Sequence, residues 1–394
     1  MNVLISGASI AGPALAYWLQ RYGFQVTVVE RAPALRPGGY AVDIRGAALD
    51  VVARMGLRDV LRPLETDTLS NSVVDARGRT FGRLARGFGV IDEGDVEIHR
   101  GDLASVLHDA TRASVRYRFG DAIASLATSD AGTSVTFESG ARGEFDVVIG
   151  ADGVHSRTRA LAFGEESEFL HDMGNRMAIF TVANHLGLRR EQLLFSGLGR
   201  VASVKSANDS RDLAVCVFFT APPGPFDPGD IDAQRRDVHS AFEGAGWAFP
   251  RLMGAMWTAD DFYSDVTCQI HMERYFAGRV ALVGDAAYCP SPLSGQGTSL
   301  ALVGAYVLAT ALLEDPLDVE RAFERYDARM RPFASANQAV ARKIARGFAP
   351  STPLQVWSRN AAMRMLPYMP AKSAIMKLAL RGVREASLAI ALPG

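Results

Sequence analysis

The chain has 394 residues, 48% hydrophobic and 22% charged, which is globular composition with length for two intertwined domains or one large one. Lys plus Arg total 42 against 43 Asp plus Glu, a net charge of −1, so no basic surface for nucleic acid is expected. The three cysteines, Cys216, Cys268 and Cys289, form no CxxC pair; this argues against a disulfide framework or structural zinc and for a reducing, cytoplasmic setting.

The opening reads as strand, glycine-rich turn, helix, strand. It has no basic n-region, so no signal peptide is expected. Asn2 to Ser6 is a short apolar run, Ala11 to Tyr22 has helical spacing through Leu15, Trp18, Leu19 and Tyr22, and Gly23 stops it. Gln25 to Glu30 is β-branched. In the turn Gly7-Ala8-Ser9-Ile10-Ala11-Gly12, Gly7 allows the tight bend and Gly12 close helix–strand packing. The helix start then points free N–H groups and a partial positive charge at a pyrophosphate. Ser9 departs from GxGxxG at the position where glycine lets the pyrophosphate approach the backbone. Glu30, 18 residues after Gly12, is placed to accept hydrogen bonds from ribose hydroxyls. The segment predicts a dinucleotide at the head of a parallel sheet without separating FAD from NAD.

Helical patterns follow at Gly46–Met55 and Asp102–Thr111, then a buried strand at Asp146–Gly150. From about Arg176 to Val266 the texture changes. Met177–Val182, Val201–Lys205 and Leu213–Thr220 alternate as antiparallel strands, interrupted by helical pieces at Ile231–Glu243 and Trp247–Trp257. This predicts a second domain on one sheet. Arg279–Val283 returns to buried-strand character, and Gly284-Asp285 puts a carboxylate at that strand's carboxyl end, where ligands of such sheets bind. A carboxylate there can hold the hydroxyls of a ribityl chain, which flavins have and NAD lacks. Pro292 and Gly295-Gln296-Gly297 lead into an apolar helix from Thr298. Its N-terminus suits the negative charge of a reduced flavin ring, a stabilisation of up to ~2 kcal/mol. Glycines and prolines break the first half of the uncharged stretch Ala286–Leu313. That leaves 16 residues where a membrane span needs ~20, so a buried helix is expected. Leu317–Arg346 is amphipathic and helical. The last segment, with Pro350, Pro353, Pro367 and Pro370, carries Met363, Met365, Met369 and Met376, either as adaptable packing or as a lid over an apolar substrate.

Taken together, these motifs resemble the class A flavoprotein monooxygenases, the p-hydroxybenzoate hydroxylase family. The closer likeness is to the tetracycline-inactivating monooxygenases and related polyketide hydroxylases. The resemblance rests on the dinucleotide turn with Glu30-Arg31 and on Asp152-Gly153-Val154-His155-Ser156-Arg157-Thr158-Arg159 after Val147–Ala151. It rests also on Gly284-Asp285-Ala286-Ala287 with Pro292 and Gly295-Gln296-Gly297, on Gly38-Gly39 to Asp43, and on Arg100 in Ile98–Leu103.

The resemblance implies an α/β fold. A Rossmann-like FAD-binding domain (1–69, 90–170, 268–335) would be interleaved with a mostly antiparallel substrate sheet (70–89, 171–267), with a C-terminal helical segment (336–394). FAD would lie on Gly7, Ser9, Ile10, Ala11, Gly12, Glu30, Arg31, Asp43, Asp285, Pro292, Gly295, Gln296, Gly297 and Thr298. Arg100 would reach the ribityl–pyrophosphate region, or else sit at a surface helix start. Asp152 would lie near the pyrophosphate, helping FAD and transient NADPH (or NADH) binding, and Arg159 would tie its loop to the sheet; either could be purely structural. Tyr288 stands where the family has histidine, as a substrate or flavin neighbour or as packing. Asn184, just past a strand, is a substrate-side candidate or a solvated loop residue.

The implied activity is NAD(P)H- and oxygen-dependent hydroxylation of an aromatic or polyketide-like small molecule through a flavin C4a-hydroperoxide, with the flavin carrying the chemistry and the protein excluding water. No GxSxG, HExxH or second dinucleotide turn is present, so no catalytic side chain or metal is assigned. Three alternatives share the fold: a halogenase, a prenyl-chain reductase, and a non-catalytic flavin-bearing protein that sequesters a ligand. Halogenases need an early lysine, whereas the first here is Lys205, and a Trp-x-Trp-x-Ile-Pro helix, which Gly246–Pro250 does not supply. A monomer or homodimer is expected.

Overall fold

The computed structural model describes residues 1–36, 40–66, 68–85, 94–206, 211–221, 226–370 and 372–394; Gly38-Gly39 lies outside them. The sequence's opening βαβ unit forms as expected: strand Asn2–Ser6, helix Ala11–Arg21, strand Gln25–Glu30. The two strands pair in parallel and seed a six-stranded sheet. Its order is Phe276–Ala277, Val280–Leu282, Val147–Gly150, Asn2–Ser6, Gln25–Glu30, Arg116–Phe119, parallel but for the first pair. Strands buried on both faces read as continuous apolar runs, which is why Val147–Gly150 and Val280–Leu282 were legible.

A two-stranded antiparallel ribbon, Ala41–Ile44 with Val96–His99, stands beside this sheet and delivers Asp43 on one strand and Arg100 just past the other. The helix expected from Asp102 begins at Arg100, directly at the strand's end. A further three-stranded sheet, Ile123–Ser129, Gly132–Phe137 and Arg142–Phe145, has no counterpart in the sequence reading.

The second sheet has seven strands, ordered Tyr263–Ile270, Leu170–Ala183, Asp212–Thr220, Arg200–Ser206, Glu191–Gly197, Ser70–Val74, Thr80–Ala85. All pairings are antiparallel except Glu191–Gly197 with Ser70–Val74. Alternation decides its faces. Leu213, Val215, Val217 and Phe219 pack against helices Ile231–Phe242 and Phe249–Met256 through Val238, Phe242, Phe249 and Leu252. Each such burial stabilises by ~1.5–3 kcal/mol. Ala214, Cys216 and Phe218, one residue out of phase, take the opposite face.

The apolar helix Gly297–Glu314 is buried from Thr298 to Leu312, 83% of it inside the protein, although its length and hydropathy would suit a membrane. It lies in the core with helix Ala11–Arg21 and the long helix Val319–Ala345. The C-terminal helix Pro353–Met365 buries no residue, and Met365 is exposed, so adaptable core packing does not describe this segment. The chain end returns to the first domain: Tyr306 Oη donates to Pro393 O at 3.0 Å, and Asn337 Nδ2 to Ala386 O at 3.1 Å.

Candidate active site

Three sequence motifs far apart in the chain meet at the carboxyl edge of the six-stranded sheet. Gly7 (φ 108°) lies so close to the second motif that a Cβ would fall 2.4 Å from Ala151 O. A Cβ on Gly12 would fall 1.9 Å from Gly7 O, so the helix can only sit this close on glycine. Gly284 is wedged between two helix starts, its Cβ position 3.0 Å from Ala11 Cβ and 3.7 Å from Ala301 Cβ. Arg159, fully buried, joins the second motif to the third: Nη1 donates to Ala286 O (3.0 Å) and Nη2 to Val154 O (2.7 Å) and Glu166 (3.0 Å).

The expected cofactor residues divide by what already occupies them. Glu30 accepts from Ala8 N (2.8 Å) and Ala32 N (2.9 Å), which pins the turn while leaving carboxylate lone pairs over. Arg100 Nη1 donates to Ser9 Oγ (2.9 Å), and its backbone N to Tyr40 O (3.0 Å). Arg31 is exposed. Asp43 accepts from Arg45 (2.7 Å) and lies 3.8 Å from the Cβ position of Gly295; burial pushes its pKa up, Arg45 opposing. Asp152 spends both oxygens inside its own loop, on Ser156 Oγ (2.5 Å) and on Thr158 N and Oγ1 (both 2.9 Å).

Other groups are left open, and their chemistry matches a flavin nucleotide. The helices at Ala11 and Gly297 both start without a side-chain cap, leaving N–H groups suited to a diphosphate and an electron-rich ring. Pro292–Ser294 forms a 3₁₀ turn, Gly295 is left-handed (φ 63°), and Thr298 is buried at the helix start. Gln296 is wholly buried, and neither its Oε1 nor its Nε2 has a partner among the described residues; such an amide calls for a ligand's donors and acceptors. The Asp285 carboxyl is pushed up to about 6 by burial, with Asp265 adding and a Cys289 bond opposing. Sugar-alcohol hydroxyls would relieve that desolvation. The residues present therefore fit FAD.

Beside Asp285 lie Tyr40 and Tyr263, with Cys216 next to Tyr40, residues that the sequence did not single out for the site. Tyr40 and Tyr263 keep 37% and 43% of their surface accessible. Yet burial, with Asp285 adding, raises the Tyr40 hydroxyl to about 12, and burial, then Asp265, raises that of Tyr263 further. Both hydroxyls are thus enclosed while part of each side chain stays accessible. Burial likewise raises the Cys216 thiol to about 12, and its charge couples to Tyr40. Cys216 and Tyr263 come from the seven-stranded sheet, both paired with Ile179, so that sheet meets the flavin-side loops here. The alternation of Asp212–Thr220 was the signal that could have placed Cys216.

Of the readings open for the two substrate-side candidates, the structure favours packing for Tyr288 and a loop role for Asn184. Tyr288 has no accessible surface; its ring packs edge-on to Tyr275, and its hydroxyl accepts from Tyr326 Oη at 3.1 Å. It sits under the apolar helix, where a Cβ on Gly304 would lie 1.9 Å from its Oη. Asn184 braces a turn, with Nδ2 donating to Leu188 O (2.8 Å) and Oδ1 accepting from Leu188 N (3.1 Å).

His155 is a feature the sequence did not single out for a role. Its Nδ1 bonds Glu166 (2.9 Å) and its Nε2 bonds Asp265 (3.1 Å), which clamps the second motif to strand Tyr263–Ile270. Asp265 and then Glu166 raise its pKa to about 10, burial opposing. An unfolded histidine titrates near ~6.5. The clamp's stabilisation is therefore fully present below about pH 6.5 and lost as pH rises through about 10. With the imidazole one-third accessible, solvent screening leaves about 1–3 kcal/mol. Melting temperatures from pH 6 to 10.5 are expected to fall more steeply for the native chain than for His155→Asn; parallel curves would remove the clamp from the account.

With this geometry in place, the comparisons with known proteins agree. A family model described as FAD binding domain matches residues 1–341. A flavin-dependent monooxygenase from an unknown prokaryotic organism is 39% identical over 354 residues, covering 90% of this chain and 91% of the relative. The crystal structure of tetracycline destructase Tet(55) superposes with a TM-score of 0.86 at 36% identity, covering 100% of this chain and 98% of that one. Klebsiella pneumoniae HpxO, crystallised with FAD and uric acid, shares the fold with a TM-score of 0.77 at 20% identity, covering 99% and 97%. The chain belongs to the FAD binding domain family of flavoprotein hydroxylases. Within it, the activity is that of a flavin-dependent monooxygenase, with FAD as cofactor and NAD(P)H as co-substrate.

Proposed function

We propose that this monooxygenase oxygenates a bulky aromatic or polyketide-like molecule held between the seven-stranded sheet and the flavin loops. The observation that carries this reading is that Tyr40 and Tyr263 lie beside Asp285, with Cys216 next to Tyr40 and level with Tyr263 across the sheet, both paired with Ile179, which puts substrate-sheet side chains beside the cofactor residues. The tetracycline-degrading relative supports a fused-ring substrate.

Bound FAD supplies the hydride-accepting and oxygen-activating chemistry; the chain's own residues bind, orient and exclude water. Glu30 takes the ribose hydroxyls beyond the two amides it already holds, and the open helix start at Ala11 takes the diphosphate. Arg100, held by Ser9, adds positive charge there. Asp285 holds the ribityl hydroxyls, while Gln296 and the uncapped Gly297–Thr298 start meet the ring. Asp43 acts through Arg45 to fix the Gly295 turn, and Asp152 shapes the loop under the diphosphate. The division into a flavin domain (1–69, 90–170, 268–335), a substrate sheet (70–89, 171–267) and a C-terminal segment (336–394) belongs to the same proposal. So do a cytoplasmic setting and a monomeric or homodimeric state.

NADPH oxidation and oxygen uptake by the flavin-loaded protein are expected to rise at least ~10-fold with a fused-ring phenolic polyketide such as a tetracycline, with a product heavier by one oxygen atom. Oxidation that yields only hydrogen peroxide across polyketides and simple phenols would overturn the substrate class.

A further inference from the structure

A second depression, of about 570 Å³, opens where the strand Leu170–Ala183 begins, the strand Tyr263–Ile270 ends and the long helix Val319–Ala345 finishes. Its walls include His171, Asp172, Gln269, His271, Arg342 and Arg346. Gln269 is its frame. The buried amide Nε2 donates to Pro290 O (3.1 Å) and Gln338 O (2.8 Å), which fixes the amide's orientation. Its Oε1 then accepts from His271 Nε2 (2.9 Å) and Arg342 Nη1 (3.1 Å). His171 packs edge-on against His271 with ring centroids 4.7 Å apart.

The wall's charge is unbalanced. Asp172, its one carboxylate, is engaged by Arg176 (3.1 Å) and Gly174 N (2.8 Å). Neither Arg342 nor Arg346 has a carboxylate partner among the described residues. Burial, then His171 and Arg342, lowers the pKa of His271. Arginines in a helix's last turn also compensate its dipole. That reading accounts for neither the paired imidazoles nor the four-bond Gln269 frame that holds Arg342 in place.

We propose that this depression binds a phosphate-bearing anion, with Arg342 and Arg346 as its charged ligands and the paired His171 and His271 rings as its wall. Guanidinium forks match phosphate oxygens in geometry and charge. The phosphate comes either from the nicotinamide dinucleotide co-substrate, an assignment that rests on the oxygenase reading, or from a free phosphorylated molecule. A dianion beside His271 favours its charged form, while Arg342 and Arg346 on the helix oppose it and Asp172 on the strand supports it. Binding of the dianion should therefore take up a proton at His271.

Titration calorimetry of the flavin-loaded protein with inorganic phosphate and with adenosine 2′-phosphate tests the site without turnover. Saturable binding is expected, accompanied by proton uptake at pH 8, where the ligand is the dianion, and weakened by salt. Arg346→Ala and Arg342→Gln should each loosen it ~10-fold. A parallel rise in KM for NADPH in these variants identifies the dinucleotide as the phosphate source. An unchanged KM with lost phosphate binding identifies a free phosphorylated molecule. Unaltered phosphate and adenosine 2′-phosphate affinity in both variants, with the flavin spectrum intact, overturns the site.

Discussion

Asp285→Ala is expected to purify nearly colourless, with FAD affinity lowered on the order of 10–100-fold, while its melting temperature without flavin holds or rises. Hydrogen bonds to a charged group contribute ~1.5–3 kcal/mol each, and every 1.4 kcal/mol is about tenfold in affinity. The stability half follows from the carboxyl's position. Burial raises its pKa to about 6, above the ordinary carboxylate range, so in the flavin-free protein this group's cost to folding grows as pH rises from the unfolded value of ~4 and is complete above about 6. Hydroxyls donated by a ribityl chain favour the ionised form. Flavin retention by the native chain should therefore weaken as pH falls below about 6, and Asp285→Asn should lose that dependence. Flavin absorbance per protein after gel filtration, at pH 5 and pH 8, measures all of this. Full occupancy in Asp285→Ala would remove the ribityl role.

What could be read from sequence is what local backbone chemistry dictates. Gly7 and Gly12 are needed at contacts no Cβ survives, Glu30 ends a strand, and Asp285 opens the short helix just past one, each strand announced by its apolar run. The grouping of Tyr40, Cys216 and Tyr263 was not readable because its residues owe their positions to distant partners. Tyr263 opens an edge strand 22 residues before Asp285, and Tyr40 borders the ribbon that positions Arg100. The choice left open for Tyr288 has the same origin. Its neighbour in sequence is Asp285, but its seat is made by Gly304, Tyr326 and Tyr275. The small sheet at Ile123–Phe145 escaped because Ser and Thr dilute its alternation; the hairpin turn at Asp130-Ala131-Gly132 was its clearest trace.

Arg159→Ala is expected to cost about 3–5 kcal/mol, the usual range when one partner of a buried charged network is removed, and to lower the melting temperature by on the order of 10 °C. The guanidinium is wholly buried and gathers Val154 O, Ala286 O and Glu166, so truncation strands two carbonyls and a carboxylate at once. Arg159→Lys should recover little, since a single ammonium lacks the planar fork that reaches both carbonyls. Ala286 follows Asp285 directly, so the Arg159 variants should lose flavin as well, by a different route. In Asp285→Ala flavin leaves an intact fold; in Arg159→Ala the fold loosens and flavin leaves with it. Saturating FAD should therefore restore much of the melting temperature of Arg159→Ala through mass action and little of the absorbance of Asp285→Ala. If Arg159→Ala instead melted like the native chain, the second and third motifs would not be held together by this side chain. The register of the cofactor edge would then have to come from the strand pairing of Val147–Gly150 with Val280–Leu282 alone.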